Sequence, residues 1–308
     1  MTAGAAAQPV TVVIATRGRP QMLRTAVRAV LDQRYDGPIE VIVVFDQIDI
    51  DPLSDVAVPS GRTVNTISNS RTPGLAGGRN SGITAAHGSL IAFCDDDDEW
   101  LPGKLASQVS LLERNSEASM VATGIRIESE GGSHVRLPPP RAAFSDLLES
   151  RITEIHPSSF LFRRSDLEGP IGLVDEHLPS GYGEDYDMLL RAARVGPVLS
   201  VVEPLVIVNW NRPSFFSGKW EGIVDGLSYL LQKFPEFARS PKGHARIAGQ
   251  VAFAHAALGN RREARSWARR SLKGDRGQLR AYAALMISAR FAPAGALVSF
   301  VNRGGRGL

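Results

Sequence analysis

Leu90-Ile91-Ala92-Phe93-Cys94-Asp95-Asp96-Asp97-Asp98-Glu99-Trp100-Leu101-Pro102 joins a short apolar run directly to four consecutive aspartates. The run Leu90 to Cys94 reads as a buried strand, and carboxylates fixed at its end cannot move apart to relieve their repulsion. A cation is expected beside them. Carboxylate oxygens are hard ligands suited to Mg²⁺ or Mn²⁺, and Mg²⁺ is usually held by one or two carboxylates together with substrate phosphates. The alternative is a solvated acidic loop, since acidic runs are common on surfaces. The flanking sequence decides between the two.

Upstream, Val10 to Ala15 and Ile39 to Phe45 are β-branched apolar runs separated by Pro20 to Gln33, whose Met22, Leu23, Ala26, Val27, Val30 and Leu31 recur at helical spacing. Continuous apolar strands joined through a crossover helix predict a parallel sheet covered on both faces. The pattern repeats with a strand over Thr63 to Ile67, a helix over Leu75 to His87 entered through Thr72-Pro73-Gly74, and the strand that delivers the aspartates. Pro102 then opens a helix to about Asn115, proline being well tolerated in the first turn. Further strands are expected over Ser119 to Ile127, Ser158 to Phe162 and Val198 to Val208, with a Gly-, Ser- and Pro-rich hairpin or excursion between Glu128 and Arg141.

Beyond residue 214 the pattern is helical: Phe215 to Phe234, Lys242 to Leu258, Arg261 to Leu272 and Gln278 to Val301, broken at Pro235, Pro241, Gly259-Asn260 and Gly274. Val251 to Leu272 resembles a single tetratricopeptide-type helical hairpin. The expected division is therefore a loose tail over residues 1–9, an α/β domain over 10–214 and an α-helical region over 215–308.

The chain has 308 residues, with 35 Lys and Arg against 32 Asp and Glu. So small an excess does not specify a polyanion, and no nucleic-acid partner is expected. The last fifty residues are different: Arg261, Arg262, Arg265, Arg269, Arg270, Lys273, Arg276, Arg280, Arg290, Arg303 and Arg306 face only Glu263 and Asp275. A basic C-terminal face results, fitting either a solvated helix surface or peripheral contact with an anionic membrane. The apolar stretch Ala281 to Val301 is interrupted by Arg290 and Pro293, which favours a packed or interfacial helix over a span. Cys94 is the single cysteine, so no intramolecular disulfide can form, in keeping with a reducing, cytoplasmic location. Met1 to Gln8 has neither the basic nor the apolar segment of a secretory signal.

The order of the motifs carries more than any one of them. Val12-Val13-Ile14-Ala15-Thr16-Arg17-Gly18-Arg19-Pro20, then Glu40 to Asp46, then Gly74-Leu75-Ala76-Gly77-Gly78-Arg79-Asn80-Ser81-Gly82, then the aspartates with Trp100, Pro102, Lys104 and Leu105, resembles the nucleotide-binding half of family-2 glycosyltransferases. The likeness continues through Gly172-Leu173-Val174-Asp175-Glu176 and Gly183-Glu184-Asp185-Tyr186-Asp187, covering about residues 10 to 210. It implies a GT-A nucleotide-diphospho-sugar transferase fold, a mostly parallel sheet flanked by helices, with ligands at the carboxyl ends of the strands.

The resemblance also implies roles. Asp46 would hydrogen-bond the nucleotide base, with Thr16 and Arg17 beside the nucleoside. Phe45 stands where the family commonly has a second acidic residue, so the donor stays open among UDP-, GDP- and dTDP-sugars. The family's Asp-x-Asp pair maps to Asp95 and Asp97, with Asp97 ligating Mg²⁺ or Mn²⁺ and Asp95 near the ribose or the metal; in a shifted register Asp96 or Asp98 takes their place. Asp185, beside Glu184 at a helix start, would be the general base of an inverting transfer to a carbohydrate, lipid-linked or other hydroxyl acceptor.

Arg79 presents a planar donor fork suited to a phosphate, against an ordinary salt bridge. The glycines around it do not have dinucleotide or P-loop spacing and are expected to serve tight entry and close helix packing. Trp100 is expected to pack, His156 to be structural or to line the acceptor side, and Arg191 and Arg194 to pair with nearby carboxylates. Two other function classes stay open, together with an oligomeric state. One is a sugar nucleotidyltransferase, to which Arg17-Gly18-Arg19 would supply a basic grip on triphosphate. The other is a nucleotide-binding protein without catalysis, whose helices form an interaction module.

Overall fold

The computed structural model describes residues 7–210 and 218–291. The chain divides into two compact units. One comprises Met1–Phe144, Ile152–Glu176 and Glu184–Pro213; the other comprises Ser145–Arg151, His177–Gly183 and Ser214–Leu308. The short inserts at 145–151 and 177–183 carry no periodic signal that would assign them to the helical unit.

The first unit is built on ten strands: β1 (Val10–Thr16), β2 (Ile39–Phe45), β3 (Arg62–Ser68), β4 (Leu90–Phe93), β5 (Asp98–Trp100), β6 (Met120–Ser129), β7 (Gly132–Arg136), β8 (Arg141–Ala142), β9 (Leu161–Arg163) and β10 (Val198–Asn209). They form one sheet in the order β3-β2-β1-β4-β9-β6-β10-β5, with β7 paired to β6 and β8 to β10. β3, β2, β1 and β4 run parallel, as do β6 and β10, while β9 and β5 are antiparallel to their neighbours. Helices α1 (Pro20–Leu31), α2 (Leu75–Ala85), α3 (Lys104–Glu113), α5 (Arg164–Glu168) and α6 (Glu184–Val195) connect them, while α4 (Phe144–Glu149) belongs from Ser145 on to the second unit.

The continuous apolar strands are buried because helices cover them: Val10, Val12, Ile14, Val41, Val43, Leu90 and Ala92 share one core with Leu23, Val27 and Val30 of α1. Glycine sets the approach of α2. A Cβ on Gly82 would lie 2.3 Å from Val13 Cγ1, one on Gly78 3.0 Å from Ala15 Cβ, and one on Gly77 1.8 Å from the Thr72 carbonyl oxygen. These contacts are the tight entry and close packing expected of the glycine-rich segment. Parallel register then aligns the strand ends, with Thr16 opposite Phe45 and Val13 opposite Phe93. Thr16, Asp46 and Asp95 therefore leave the sheet along one edge.

Two expectations need correction, and one strand was not foreseen. Ser158 to Phe162 is not a continuous strand: Pro157–Ser159 forms a 3₁₀ turn and only Leu161–Arg163 pairs with β4. The proline at the start of that turn fixes φ and removes a donor, which delays the strand. Glu99 lies inside a strand, because Asp98–Trp100 returns to pair antiparallel with Val206 to Val208 of β10. Among the described residues the last apolar segment is helical over α10 (Leu279–Ser288) and leaves the helix at 289–291; residues from 292 on lie outside the described residues.

The second unit contains α7 (Trp220–Lys233), α8 (Pro241–Ala257), α9 (Arg261–Gly274) and α10. Residues 215–217 of the expected first helix also lie outside the described residues. α9 runs back along α8, placing the Ser271 hydroxyl on the Ala245 carbonyl at 2.7 Å. Ala252, Ala256, Ala264, Ala268, Ala281 and Ala284 form the seam among α8, α9 and α10, where small side chains let the helices approach closely. Among the described residues no helix is long and apolar enough to cross a membrane.

Candidate active site

The four aspartates diverge because the chain turns between β4, in the middle of the sheet, and β5, at its edge. Asp96 accepts the Thr16 hydroxyl at 2.7 Å and Arg19 Nη1 at 2.9 Å. Asp97 takes the same Arg19 nitrogen at 2.5 Å. Asp95 accepts Arg79 Nη2 at 2.8 Å. Asp98 accepts the Ser158 hydroxyl at 2.5 Å and lies 3.4 Å from His156 Nδ1.

Desolvation and the neighbouring Asp95 push the Asp97 carboxyl up to about 6. Burial raises Asp96 despite the Thr16 bond and the Arg19 charge. Asp98, 3% exposed, is raised well above the usual carboxylate range by desolvation and then by Asp95. Three carboxyls that resist ionisation in one turn form an electrostatic deficit that a cation relieves.

Two ligand sets can be drawn on these residues. The sequence pair is Asp95 and Asp97. The geometric group is Asp95, Asp98 and His156, whose ligand atoms all lie within 4.8 Å of one another. Asp95 is common to both. Carboxylate oxygens suit Mg²⁺ or Mn²⁺, so the donor chemistry fits such an ion. Of the two remaining carboxylates Asp97 is the accessible one, its side chain 30% exposed against 3% for Asp98.

Arg79 sits 3% exposed on α2, which glycine packing presses onto β1. Its Nη2 meets Asp95 and its Nη1 meets Glu184 Oε1 at 3.0 Å. The guanidinium lies 5.3 Å from the centroid of the Phe93 ring. Arg79 is therefore a bridge between two carboxylates, the salt-bridge alternative to a free phosphate fork. Glu184 and Asp185 begin α6, where backbone N–H groups stabilise negative charge, and Asp185 Oδ1 takes the Tyr186 N–H at 2.7 Å.

Asp46, at the end of β2, accepts Asn69 Nδ2 at 2.8 Å, Gln47 Nε2 at 3.0 Å and the Gly74 N–H at 3.1 Å. Desolvation opposes ionisation there, but these bonds prevail and hold the carboxyl below its usual range. Asp46 thus fastens the loop entering α2. Arg17 is exposed beside it and contributes favourable charge.

Several residues escaped the sequence reading. Ser158 accepts the Asp95 N–H at 3.0 Å while donating to Asp98. Asn80 donates to the Val174 carbonyl at 2.8 Å and to Glu176 at 2.6 Å, and Glu176 also takes Arg71 Nε at 2.5 Å. Despite desolvation, the bonds from Asn80, Thr72 and Arg71 lower Glu176 to about 2. Arg19 carried a signal, being basic and near Thr16, but its partners are the aspartates.

Other expectations hold. Trp100 is buried, donating from Nε1 to the Ser158 carbonyl at 2.8 Å, and Cys94 is buried. Arg191 pairs with Asp187 at 2.8 Å, and the Arg194 guanidinium lies 5.3 Å from the centroid of the Phe144 ring.

Residues 11–169 match the profile of Glycosyl transferase family 2. The chain is 25% identical over 234 residues to AmsB, an amylovoran biosynthesis glycosyltransferase of Erwinia amylovora, covering 71% of this chain and 74% of AmsB. It is 25% identical over 141 residues to the UDP-Glc:alpha-D-GlcNAc-diphosphoundecaprenol beta-1,3-glucosyltransferase WfgD of Escherichia coli, covering 46% of this chain and 55% of WfgD.

Among solved structures, S. aureus TarS residues 1–349 with UDP-GlcNAc superposes with a TM-score of 0.60 at 14% identity, covering 97% of this chain and 92% of that one. The mannosyltransferase PcManGT of Pyrobaculum calidifontis, in complex with GDP-Man and Mn²⁺, gives 0.55 at 18% identity, covering 97% and 81%. These likenesses show the fold, a GT-A-like α/β arrangement. With more than half its length matched and the motifs gathered at one sheet edge, the chain belongs to glycosyl transferase family 2 and is a glycosyltransferase.

Proposed function

We propose that the chain is an inverting, metal-dependent transferase that moves a sugar from a nucleotide-diphosphate donor to an acceptor hydroxyl in polysaccharide, glycolipid or glycoconjugate synthesis. The observation that carries this reading is the Arg79 bridge. It brings the aspartate run and the start of α6, far apart in sequence, to one guanidinium through Asp95 at 2.8 Å and Glu184 at 3.0 Å. A UDP-, GDP- or dTDP-sugar is the donor class; neighbours bound to UDP-GlcNAc and to GDP-Man with Mn²⁺ support it. AmsB and WfgD, named for amylovoran biosynthesis and for a diphosphoundecaprenol acceptor, support a carbohydrate or lipid-linked acceptor.

Asp95 and Asp97 would hold Mg²⁺ or Mn²⁺, Asp97 being the more exposed of the alternatives. When bound, the ion supplies Lewis-acid neutralisation of the leaving diphosphate. Thr16, Arg17 and Asp46 border the nucleoside. Asp185, beside Glu184 at the start of α6, takes the proton of the attacking hydroxyl, its carboxylate stabilised by the helix N-terminus. One base and direct displacement invert the anomeric centre.

The nucleotidyltransferase alternative loses its support at Arg19, which is paired with Asp96 and Asp97. A thermal-shift screen of UDP-, GDP- and dTDP-sugars with and without Mn²⁺ tests the reading, because a ligand that binds only the native state raises its melting temperature. We expect one nucleotide class to stabilise the protein in the presence of Mn²⁺. Hydrolysis of that sugar nucleotide should disappear in Asp97→Asn and Asp185→Asn. If no nucleoside diphosphate binds with Mn²⁺, the reading fails.

A further inference from the structure

The helical unit carries a surface that sugar transfer does not use. α10 turns Ala281, Ala284 and Ser288 into the alanine seam and leaves Leu279 77% exposed and Tyr282 and Met286 each 44% exposed. Positions 279, 282 and 286 are three and four residues apart, so they lie on one side of the helix. At 1.5 Å per residue they make a stripe about 10 Å long. Phe291, 82% exposed, follows directly after the helix. Single exposed apolar residues need no explanation, but a row of them on one helix face does.

Positive charge dominates the sequence on either side of the row. Between Arg261 and Phe291 the acids are Glu263 and Asp275, and the Asp275 carboxylate is already bonded to the Gly277 N–H at 2.8 Å and Gln278 Nε2 at 2.7 Å. Tyr282 donates its hydroxyl to the Arg276 carbonyl at 3.0 Å, fixing that residue near the first turn of α10. Arg265 Nη2 donates to the Ser288 carbonyl at 2.9 Å, which brings a guanidinium from α9 to the last turn. Arg269, Arg276 and Arg290 are exposed.

Each half of this pattern excludes one class of partner. An acidic polymer would match the arginines but leave Leu279, Met286 and Phe291 in water. An apolar protein groove would bury the row but strip the guanidiniums of their hydration at a cost nothing here offsets. A bilayer with anionic headgroups accepts both, apolar side chains at the acyl boundary and arginines among the phosphates. We propose that the α10 row with its flanking arginines docks the protein on an anionic phospholipid surface, in the interface plane. The inference depends on neither the donor nor the cation.

The test is flotation of the full chain with vesicles of phosphatidylcholine alone or of equal parts phosphatidylcholine and phosphatidylglycerol, without nucleotide or metal. Attachment should be at least about tenfold stronger to the anionic vesicles and should fall as salt is raised, because the attraction is screened within a Debye length. Two double variants separate the contributions: Leu279→Ser with Met286→Ser, and Arg269→Glu with Arg276→Glu. Each should weaken attachment about tenfold, with an unchanged melting temperature because the positions are exposed.

Equal binding to both vesicle types, or none to either, overturns the proposal. So does a self-association seen by sedimentation without lipid and abolished by Leu279→Ser with Met286→Ser, since a second copy would then cover the row. Sugar-nucleotide binding is read separately by thermal shift, so failure on vesicles leaves the transferase reading where it stands.

Discussion

The Ser158 hydroxyl donates to Asp98 at 2.5 Å while its oxygen accepts the N–H of Asp95 at 3.0 Å. One fully buried side chain thus spans the aspartate run and fixes its two ends in register. Ser158→Ala leaves a buried N–H and a buried carboxyl each without this partner, at a cost of about 1–3 kcal/mol. It should also reduce Mn²⁺ affinity and transfer about tenfold or more, as loss of a residue supporting metal ligands does. Chemical denaturation and a Mn²⁺ titration measure the two effects, and unchanged metal affinity would remove Ser158 from the site.

The two candidate ligand sets separate under isosteric substitution. Asp98 is buried with a raised carboxyl pKa, so the neutral Asp98→Asn should keep or raise the melting temperature at pH 7 and retain Mn²⁺ binding. Asp97→Asn should weaken Mn²⁺ at least about tenfold. The opposite pattern would put the ion in the group of Asp95, Asp98 and His156. The Asp97 carboxyl, raised to about 6, also sets a pH dependence. Between its ordinary value of 3.8 and about 6 the folded protein holds the extra proton, so metal-free stability from this group rises as pH falls through that window. Mn²⁺ affinity should move the other way and decline below about pH 6, since the ligand must be deprotonated.

Arg79 separates charge from geometry. Arg79→Lys keeps one cation but cannot reach Asp95 and Glu184 with a planar fork, so transfer should fall about 10–100-fold in a protein that still folds. Arg79→Met leaves two carboxylates without their buried partner and should destabilise by about 3–5 kcal/mol. A lysine variant with full activity would contradict the bridging role.

Lys104 is fully buried, its ammonium 3.6 Å from the centroid of the Trp100 ring and donating to Gln108 Oε1 at 2.7 Å. Desolvation lowers it to about 7 from 10.5. Between those two values the unfolded chain binds the proton and the folded one does not, so stability increases with pH across that window, by about 5 kcal/mol at most. Lys104→Met should flatten this rise and raise stability at pH 7 by about 1–3 kcal/mol, part of the gain being lost at the orphaned Gln108 oxygen. Melting curves from pH 7 to about 10 would show it, and an unchanged slope would contradict it.

Gly82 faces Val13, and a methyl group there would lie 2.3 Å from Val13 Cγ1. Gly82→Ala should destabilise by about 1–3 kcal/mol through overpacking. Adding Val13→Ala should recover part of that loss, a non-additivity expected of residues in contact. Additive losses would mean that α2 shifts instead.

What the sequence made legible follows the strength of local signals. β1 and β2 are uninterrupted β-branched runs, and α1 places Leu23, Val27 and Val30 on one face, so hydrophobic pattern alone located them. β5 and β9 are three residues each and are specified by partners distant in sequence, which no window around them contains. The same holds for the site. Asp95 and Asp185 stand in motifs, whereas Ser158 matters only because a 3₁₀ turn points it at both ends of the run, and Arg19 only because its long side chain reaches across to Asp96 and Asp97.

The aspartate run is stretched between two strands of one sheet, with Phe93 opposite Val13 at its start and Asp98 opposite Val208 at its close. Asn209 Nδ2 holds the Asp97 carbonyl between them at 2.8 Å. Side chains alternate faces along a strand, so lengthening or shortening the run by one residue would invert β5 and turn Trp100 out of the core. The number of aspartates is therefore a dimension of the scaffold as well as a feature of its chemistry: a substitution here changes the chemistry and leaves the sheet in register, whereas a single-residue insertion or deletion strains the sheet itself.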